Sequence, residues 1–375
     1  MSGSRLFQPL QIGNMTVQHR IAMAPLTRYR ADDAHVPTAL QLEYYRQRAS
    51  VPGTLLITEA TFMSAKSGGY RNVPGIYTDA QIAAWKKITD AVHARGSFLV
   101  CQLWALGRAA RQEVADEEGF RIKSSSAVPI GDGYVVPEAM TVDEIRQTVA
   151  DYATAARNAI AAGFDAVEVH GANGYLVDQF IQDTCNRRTD EYGGSVENRS
   201  RFAVEVVDAV VAAVGAERTA IRLSPWTTFQ GMRMADPVPQ FSDVIRKIGR
   251  HRLAYVHVVR SGIYGNRTIV QDKEDSLDFV VDLFNGPVLI AGDLDAESAR
   301  DLVDRQYPDK DVVATFGRYF ISTPDLPFRV REGIPLNPYD ANTFYFRGSP
   351  IGYIDQPFSK EFEAKYGVQI QQANL

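Results

Sequence analysis

Short apolar runs alternate with longer amphipathic stretches along almost the whole chain. The runs resemble strands that are buried on both faces of a parallel sheet. They predict strands at residues 21–24, 54–58, 98–103, 166–170, 220–223, 254–258, 287–291 and 311–316. Between them, apolar residues recur at helical spacing. These stretches predict helices that include residues 79–95, 141–162, 197–214, 239–250 and 295–306.

Eight strand-helix units favour an α/β fold in which a parallel sheet closes into a (β/α)8 barrel of the TIM type. A doubly wound nucleotide-binding sheet is the alternative, but neither GxGxxG nor a P-loop motif follows any predicted strand. Residues 5–19 predict a hairpin that seals the barrel floor. Residues 104–137 predict a long excursion after the third strand that forms a lid, and residues 337–358 a segment packed over the barrel mouth. We therefore expect one domain over residues 1–375.

Charge and composition narrow the range of partners. The 375-residue chain has a net charge of -5, with basic and acidic residues interspersed. Such a surface does not attract nucleic acid or anionic membranes electrostatically, so small molecules are the expected partners. The chain has no apolar run of about 18 residues and no apolar leader core. Cys101 and Cys185 form no CxxC pair, as is typical of reduced thiols. We expect a cytoplasmic enzyme.

Three polar side chains emerge together where the predicted strand 166–170 ends. His170, Asn173 and Tyr175 lie within six residues, at the barrel face where catalytic groups collect. Imidazole and amide N–H groups can hold an oxygen on which negative charge develops, while a phenol with a pKa near ~10 remains a proton donor. The grouping predicts an enolate-forming reaction. The alternative is a purely structural role, in which His170 is a buried histidine with its hydrogen bonds satisfied and Tyr175 is an aromatic residue of the core.

The last two predicted strands each end in glycine followed by a charged residue. Gly292 precedes Asp293, and Gly317 precedes Arg318, in the loops that usually bind phosphate in a barrel. Glycine lets backbone N–H groups approach an anion, and the arginine adds a charged fork. The carboxylate of Asp293 would repel a phosphate unless it points away. Two tight turns and a surface ion pair are the alternative.

Arg222 and Gln102 lie inside apolar strands, where their side chains are expected to point into the barrel. A buried guanidinium is costly without an acceptor, so Arg222 needs a carboxylate partner or the polar edge of a ligand. Gln102 offers a donor and an acceptor to a heterocycle, or else bonds a neighbouring strand end. With the phosphate anchor and the oxygen-binding group, these features match flavin mononucleotide (FMN).

Other barrel chemistries are less well supported. No lysine stands at a predicted strand end, which disfavours a Schiff-base aldolase. A metal hydrolase would need ligands such as Glu59, His170, His257 and Asp293. These residues are scattered singly, without HxH or HExxH spacing, so we expect no metal site.

Several ordered motifs extend this picture. They are APLTR at 24–28, QLW at 102–104, HGANGY at 170–175, RRTDEYGGSVENR at 187–199, RLSP at 222–225 and FGRYF at 316–320. With them the chain resembles the Old Yellow Enzyme family of FMN-dependent ene-reductases from about residue 6 to residue 358. The likeness is to fungal members, including reductases of ergot-alkaloid pathways.

The resemblance implies roles for individual residues, with FMN as cofactor and NADPH as electron donor. It implies that Thr27 bonds the flavin carbonyl near N5, Gln102 the pyrimidine edge, and Arg222 the N1 side and the ribityl chain. The other implied cofactor contacts are Pro25, Leu26, Ala60, Gly292, Asp293, Gly317 and Arg318. The implied substrate contacts are His170, Asn173, Tyr70, Trp104 and Tyr345. Tyr175 is the implied acid.

The implied reaction is reduction of the activated C=C bond of an α,β-unsaturated aldehyde or ketone. NADPH reduces the flavin, hydride passes from flavin N5 to the β-carbon, and Tyr175 protonates the α-carbon. One alternative is a flavin-dependent isomerase of an enal or enone in secondary metabolism, with no net redox change. Another is a ligand-binding barrel without turnover. We expect a monomer or homodimer, with substrate choice set by residues 104–137 and 259–276.

Overall fold

The computed structural model describes residues 3–269 and 275–367. Its centre is a ring of parallel strands: β1 (Ile21–Met23), β2 (Leu55–Ile57), β3 (Phe98–Trp104), β4 (Ala166–Gly171), β5 (Thr219–Leu223), β6 (Tyr255–Val259), β7 (Val288–Ala291) and β8 (Val312–Phe316). Each strand pairs with the next, and β8 pairs with β1, which closes the barrel. All eight predicted strands are confirmed, with bounds that differ by at most one residue at either end.

One helix follows each barrel strand. These helices are α1 (Ala39–Arg48), α2 (Asp79–His93), α3 (Val142–Ala161), α4 (Val196–Val214), α5 (Val238–Ile248), α6 (Asp278–Leu283), α7 (Ala296–Asp301) and α8 (Leu326–Glu332). A capping box starts α3, where the N–H of Glu144 donates to the Thr141 hydroxyl and the N–H of Thr141 donates to the Glu144 carboxylate. The helix predicted at 295–306 divides into α7 and a π-helical turn. The (β/α)8 fold is confirmed.

Shorter elements lie in the connections. The additional α-helices are Gln112–Glu118, Leu176–Ile181, Arg318–Ser322 and Lys360–Tyr366. The 3-10 helices are Arg5–Phe7, Ala65–Ser67, Gly107–Ala109, Ala216–Arg218, Phe229–Gly231, Gly249–His251 and Ala341–Thr343, and the π-helical turn is Leu302–Gln306. The additional strands are Leu10–Ile12, Met15–Val17, Thr61–Phe62, Lys123–Ser124, Glu138–Ala139, Ile263–Tyr264 and Arg267–Thr268.

The predicted floor hairpin is present. Leu10–Ile12 and Met15–Val17 pair antiparallel, and their apolar side chains join a buried cluster with residues near the strand starts, among them Ala22 and Val313. The alternating burial of both strands leaves their polar side chains outside. The hairpin therefore closes the amino-terminal end of the barrel, and the carboxyl ends of the strands stay available for a site.

The predicted excursion after β3 is present, and its action as a lid stays a prediction. Of residues 104–137, only Trp104 lines the cavity at the mouth. Ala115 and Ile122 are buried with Trp104 and Phe62 in a separate cluster. Ile130 of the excursion packs against the same cluster as Tyr70 and Tyr175 of the cavity wall. Residues 337–358 do pack over the mouth as predicted, because Phe344 and Tyr345 line the cavity.

The domain prediction covers more than the structure describes. Residues 1–2, 270–274 and 368–375 lie outside the described residues. That residues 1–375 form one domain therefore stays a prediction. Within the described ranges, no helix combines the length and apolarity that a membrane crossing requires.

Candidate active site

A cavity of about 510 Å³ opens at the carboxyl ends of the barrel strands. Every site residue predicted from the sequence lines it. From the strands and their ends these are Pro25, Leu26, Thr27, Ala60, Gln102, Trp104, His170, Asn173, Tyr175, Arg222, Gly292, Asp293, Gly317 and Arg318, and from connecting segments Tyr70 and Tyr345. The fold therefore brings all of these residues together, while their individual roles stay predictions.

His170 ends the inward-facing row of β4 and is 4% exposed. Its Nδ1 accepts a long hydrogen bond of 3.4 Å from the backbone N–H of Ala172. An acceptor Nδ1 carries no proton, so we assign the ring proton to Nε2. Burial lowers the pKa of His170 well below its usual value, and the charges of Arg222 and His257 lower it further. The side chain is therefore a neutral imidazole with one N–H donor.

Asn173 is held in the left-handed region, with φ of 58°. Its backbone N–H donates to the Ser224 hydroxyl at 2.7 Å, and its carbonyl accepts from the Gln230 amide at 3.0 Å. A non-glycine residue in this region is uncommon and is often retained at functional sites. The two bonds fix the backbone at the point where the carboxamide meets the cavity.

Tyr175 stands next to His170 on the same wall. Its ring lies edge-on to Trp104, with centroids 4.7 Å apart, and to His170, with centroids 4.9 Å apart. Burial raises the pKa of Tyr175 well above 10, and the neighbouring phenols of Tyr70 and Tyr29 raise it further. The phenol therefore keeps its proton across the ordinary pH range and is a donor.

Aromatic side chains form the wall beyond Tyr175. The ring centroid of Tyr29 lies 6.2 Å from that of Tyr70 and 5.6 Å from that of Tyr345, and Tyr70 lies 5.8 Å from Trp104. Tyr29 was not predicted, although it directly follows the APLTR motif. The other aromatic lining residues missed by the sequence analysis are Phe229, Tyr264, Tyr319 and Phe344. They lie outside the barrel strands, so no strand-end position marked them.

Arg222 points into the barrel, as its place in β5 predicts. It is 9% exposed, and its Nε has no hydrogen-bond partner. Glu168 acts on it electrostatically, but among residues 3–269 and 275–367 no side chain forms an ion pair with it within 4 Å. A buried guanidinium without a direct acceptor is costly. Of the two alternatives left open by the sequence, this geometry favours the polar edge of a ligand over a carboxylate partner.

Gln102 is also buried inside the barrel, at 1% exposed. Its amide nitrogen donates to Glu168 Oε1 at 2.7 Å. The bond to a neighbouring strand, which is the alternative to a heterocycle contact, is therefore present. Gln102 lines the cavity at the same time, so it can serve a heterocycle as well.

The opposite end of the cavity fits a phosphate. A side chain at Gly292, whose φ is 139°, would place Cβ 2.9 Å from the Arg260 side chain, so the backbone there requires glycine. Gly317 starts the helix Arg318–Ser322 without a side-chain cap, which leaves backbone N–H groups for an anion. Arg318 donates to the Asp293 carboxylate and, at 2.6 Å, to Thr268. Asp293 is thus engaged by Arg318, which lowers the repulsion between its carboxylate and a bound phosphate.

The residues considered as metal ligands do not converge. Glu59 accepts from Gln41 at 2.9 Å, His257 bonds Glu168 at 2.9 Å, and Asp293 pairs with Arg318. No group of three or more His, Cys, Asp or Glu side chains in the described part of the chain is placed to hold a metal ion. The structure gives the metal-hydrolase alternative no support.

The loop expected at 259–276 is described only in part. Its hairpin, Ile263–Tyr264 with Arg267–Thr268, contributes Ile263, Tyr264 and Arg267 to the cavity lining. Residues 270–274 lie outside the described residues. That this loop sets substrate choice stays a prediction.

Comparisons with known proteins agree with the fold and give the family. Residues 5–337 match the NADH:flavin oxidoreductase / NADH oxidase family. Over 363 residues the chain is 57% identical to a chanoclavine-I aldehyde reductase of Penicillium roqueforti, which covers 96% of this chain and 98% of that protein. Over 366 residues it is 52% identical to an NADP-dependent oxidoreductase of Aspergillus flavus, covering 96% and 97%.

The solved structures include a close match in shape. The Old Yellow Enzyme of a Pichia species superimposes with a TM-score of 0.89 and is 40% identical, over 100% of this chain and 97% of that chain. The resemblance drawn from the sequence motifs, the oxidoreductase class and the barrel fold are thereby confirmed.

Proposed function

This chain belongs to the NADH:flavin oxidoreductase / NADH oxidase family, of the Old Yellow Enzyme type, and we propose that it is an FMN-dependent ene-reductase that consumes NADPH. Its substrates are α,β-unsaturated aldehydes or ketones, whose activated C=C bond it reduces. One observation carries the proposal. His170, Asn173 and Tyr175 line the same cavity as Arg222, a buried guanidinium without an ion-pair partner among the described residues.

The residues present fit FMN. Thr27, Gln102 and Arg222 would hold the ring system, and the backbone at Gly292 and Gly317 would hold the phosphate. Arg318 adds charge at the phosphate end, and Pro25, Leu26 and Ala60 supply apolar contact. When bound there, FMN would supply hydride chemistry, with NADPH as the source of the hydride and the β-carbon of the substrate as its acceptor.

His170 and Asn173 bind the carbonyl oxygen of the substrate. The Nε2–H of the neutral imidazole and the carboxamide N–H of Asn173 donate to that oxygen, where negative charge develops as the β-carbon accepts hydride. Removal of one donor from such a pair typically costs ~10²–10³ in rate. Because the imidazole is neutral before substrate binds, it acts as a hydrogen-bond donor and gives up no proton.

Tyr175 supplies the proton that completes reduction. Its phenol donates to the α-carbon, and the proton is then replaced from solvent. The raised pKa of Tyr175 keeps the donor protonated until a strongly basic enolate is present. A positioned general acid typically contributes ~10²–10⁴ in rate.

The aromatic wall and the relatives together point to a substrate class. Tyr29, Tyr70, Tyr345 and Trp104 offer a broad apolar face for the body of a flat, partly aromatic enal. The Penicillium roqueforti relative is named for chanoclavine-I aldehyde. We propose an aldehyde of this kind, from secondary metabolism, as the substrate of this chain.

The test is a stoichiometry measured without oxygen. The purified protein, loaded with FMN, is reduced with NADPH and then mixed with chanoclavine-I aldehyde or a simple enal. One NADPH consumed per saturated product supports the proposal. An isomerised product without NADPH consumption identifies the isomerase instead. A folded protein that stays colourless with FMN, or whose flavin NADPH cannot reduce, identifies a binding barrel without turnover.

We also propose that the protein is cytoplasmic and that it is a monomer or a homodimer. Size-exclusion chromatography coupled to light scattering measures the assembly.

A further inference from the structure

A layer of buried polar residues lies in the barrel beside the cavity. It consists of Gln102, Glu168, Arg222 and His257, which come from the consecutive strands β3 to β6. Gln102 is in register with Glu168, and Arg222 is in register with His257. Gln102 and Arg222 line the cavity, whereas Glu168 and His257 are fully buried behind them. Because buried charges rarely add stability, this layer requires a functional explanation.

Glu168 fixes the orientation of the Gln102 amide. Its Oε1 accepts from the Gln102 amide nitrogen at 2.7 Å, and its Oε2 is 2.9 Å from His257 Nδ1. An ionised carboxylate can only accept hydrogen bonds, so the amide nitrogen of Gln102 must face it. The carbonyl oxygen of Gln102 is then the atom left for a ligand. The cavity therefore presents an acceptor there, which suits a ring N–H.

Glu168 also carries the negative charge that faces Arg222. Burial alone raises the pKa of Glu168, but the charges of His257 and Arg222 and the hydrogen bonds from His257 and Gln102 outweigh it, so this pKa lies below its usual value. Burial lowers the pKa of His257, and its Nε2 has no partner within the described structure. We therefore take Glu168 as ionised, with Arg222 as the cation that balances its charge.

We propose that Glu168 is a positioning residue for the flavin, which orients Gln102 and offsets the charge of Arg222. This inference rests on the proposed function. Two-electron reduction adds negative charge to the isoalloxazine, and an uncompensated Arg222 beside it would stabilise that charge. Glu168 thus holds the reduction potential of bound FMN lower than Arg222 alone would set it.

Two substitutions separate the charge from the hydrogen bond. Glu168→Gln removes the charge but keeps an oxygen that can accept from Gln102. Glu168→Asp keeps the charge but shortens the side chain, so the bond to Gln102 is lost. Glu59→Gln is the matched control, because Glu59 is a second fully buried carboxylate and does not line the cavity. Burial raises the pKa of Glu59 to about 7, so at pH 8 both carboxylates are ionised.

The first readout is the midpoint potential of bound FMN in the holoproteins at pH 8, measured by anaerobic spectroelectrochemistry. We expect a more positive potential in Glu168→Gln than in the unmutated protein, and no change in Glu168→Asp or Glu59→Gln. An unchanged potential in Glu168→Gln overturns the inference. So does an equal shift in all three variants.

The second readout needs no stable Glu168→Gln variant. N3-methyl-FMN cannot donate to the Gln102 oxygen, so the unmutated apoprotein should bind it about tenfold more weakly than FMN. Glu168→Asp, with Gln102 free to turn, should discriminate less. Equal binding of both flavins by the unmutated protein, or unchanged discrimination in Glu168→Asp, overturns the orienting role. An unmutated protein that binds neither flavin refutes the proposed function itself.

Discussion

The ring of Tyr175 stands at 72° to the ring of His170, with their centroids 4.9 Å apart. His170 lies at the end of β4, and Tyr175 directly precedes the short helix Leu176–Ile181. The short loop from residue 170 to residue 175 therefore sets the distance between the proposed proton donor and the proposed oxygen-binding group. Trp104 packs against both rings and holds them in place.

Replacing Tyr175 with Phe should separate the two halves of the catalytic cycle. The variant keeps the ring packing but loses the proton donor, so reoxidation of the reduced flavin by an enal should slow by ~10²–10⁴. Flavin reduction by NADPH should be nearly unchanged. Stopped-flow absorbance measures each half-reaction separately.

The matched control is Tyr152→Phe. Tyr152 is a buried phenol in α3 that does not line the cavity. It should leave both half-reactions as they are. If Tyr175→Phe slows both halves equally, or slows neither, Tyr175 is not the acid.

The strand ends could be predicted because local chemistry marks them. Apolar runs locate the strands, and a parallel barrel brings all carboxyl ends to one face, so residues as distant as Thr27 and Arg318 were placed in one cavity. The acceptor of Gln102 cannot be predicted from the sequence, because a partner on the next strand depends on the register of the two strands. Glu168 could have been identified from the sequence, because it lies two residues before His170 on β4 and therefore points to the same, inward face of the strand.

The cavity walls were harder to predict. Tyr29 and Tyr264 lie in loops or short hairpins, whose position depends on packing against distant segments rather than on their own sequence. For the same reason the sequence predicts the excursion at 104–137 but not which cavity-wall residues it packs against. Hydrophobic periodicity and turn-forming residues predict local structure, but they do not predict where a long loop packs.

Replacing Arg222 with Lys should weaken FMN binding and spare the fold. Lysine keeps the charge but loses the planar fork that bonds a heterocycle at two points. We expect the dissociation constant for FMN to rise by about 5–150-fold, the range set by a loss of about 1–3 kcal/mol. Flavin fluorescence quenching by the apoprotein measures this constant.

Arg20→Lys provides the comparison. Arg20 is also buried, and it pairs with Asp311 at 3.1 Å outside the cavity lining. This substitution should change the thermal stability of the apoprotein rather than its affinity for FMN. Equal FMN affinity in Arg222→Lys and the unmutated protein would argue against a flavin contact at Arg222.

Glu59 should make stability depend on pH. Burial raises the pKa of Glu59 from 4.5 to about 7, and the hydrogen bond from Gln41 opposes this shift. The folded protein therefore retains a proton that the unfolded chain releases above pH 4.5. The contribution of Glu59 to stability is complete below that pH and is lost as the pH rises to about 7.

Glu59→Gln stays neutral at every pH and avoids this loss. Relative to the unmutated protein, its free energy of unfolding should rise between pH 4.5 and about 7 and then level off. Urea denaturation across this range measures the difference. Glu138→Gln, at an exposed carboxylate whose pKa Lys123 and Arg121 lower, should show no such gain. A constant difference between Glu59→Gln and the unmutated protein would contradict the assignment.

Replacing Asp293 with Asn should strengthen FMN binding. The Asp293 carboxylate pairs with Arg318 at the end of the cavity where we place the phosphate. It therefore competes with the phosphate for the guanidinium and adds a like charge beside it. Removing one charge at this exposed position is worth about 1 kcal/mol, so affinity for FMN should rise about fivefold. Riboflavin has no phosphate and should bind the two proteins equally, as titration of each apoprotein would show. If FMN and riboflavin both bind more tightly by the same factor, Asp293 does not act on the phosphate. If neither flavin binds more tightly, Arg318 does not bind the phosphate.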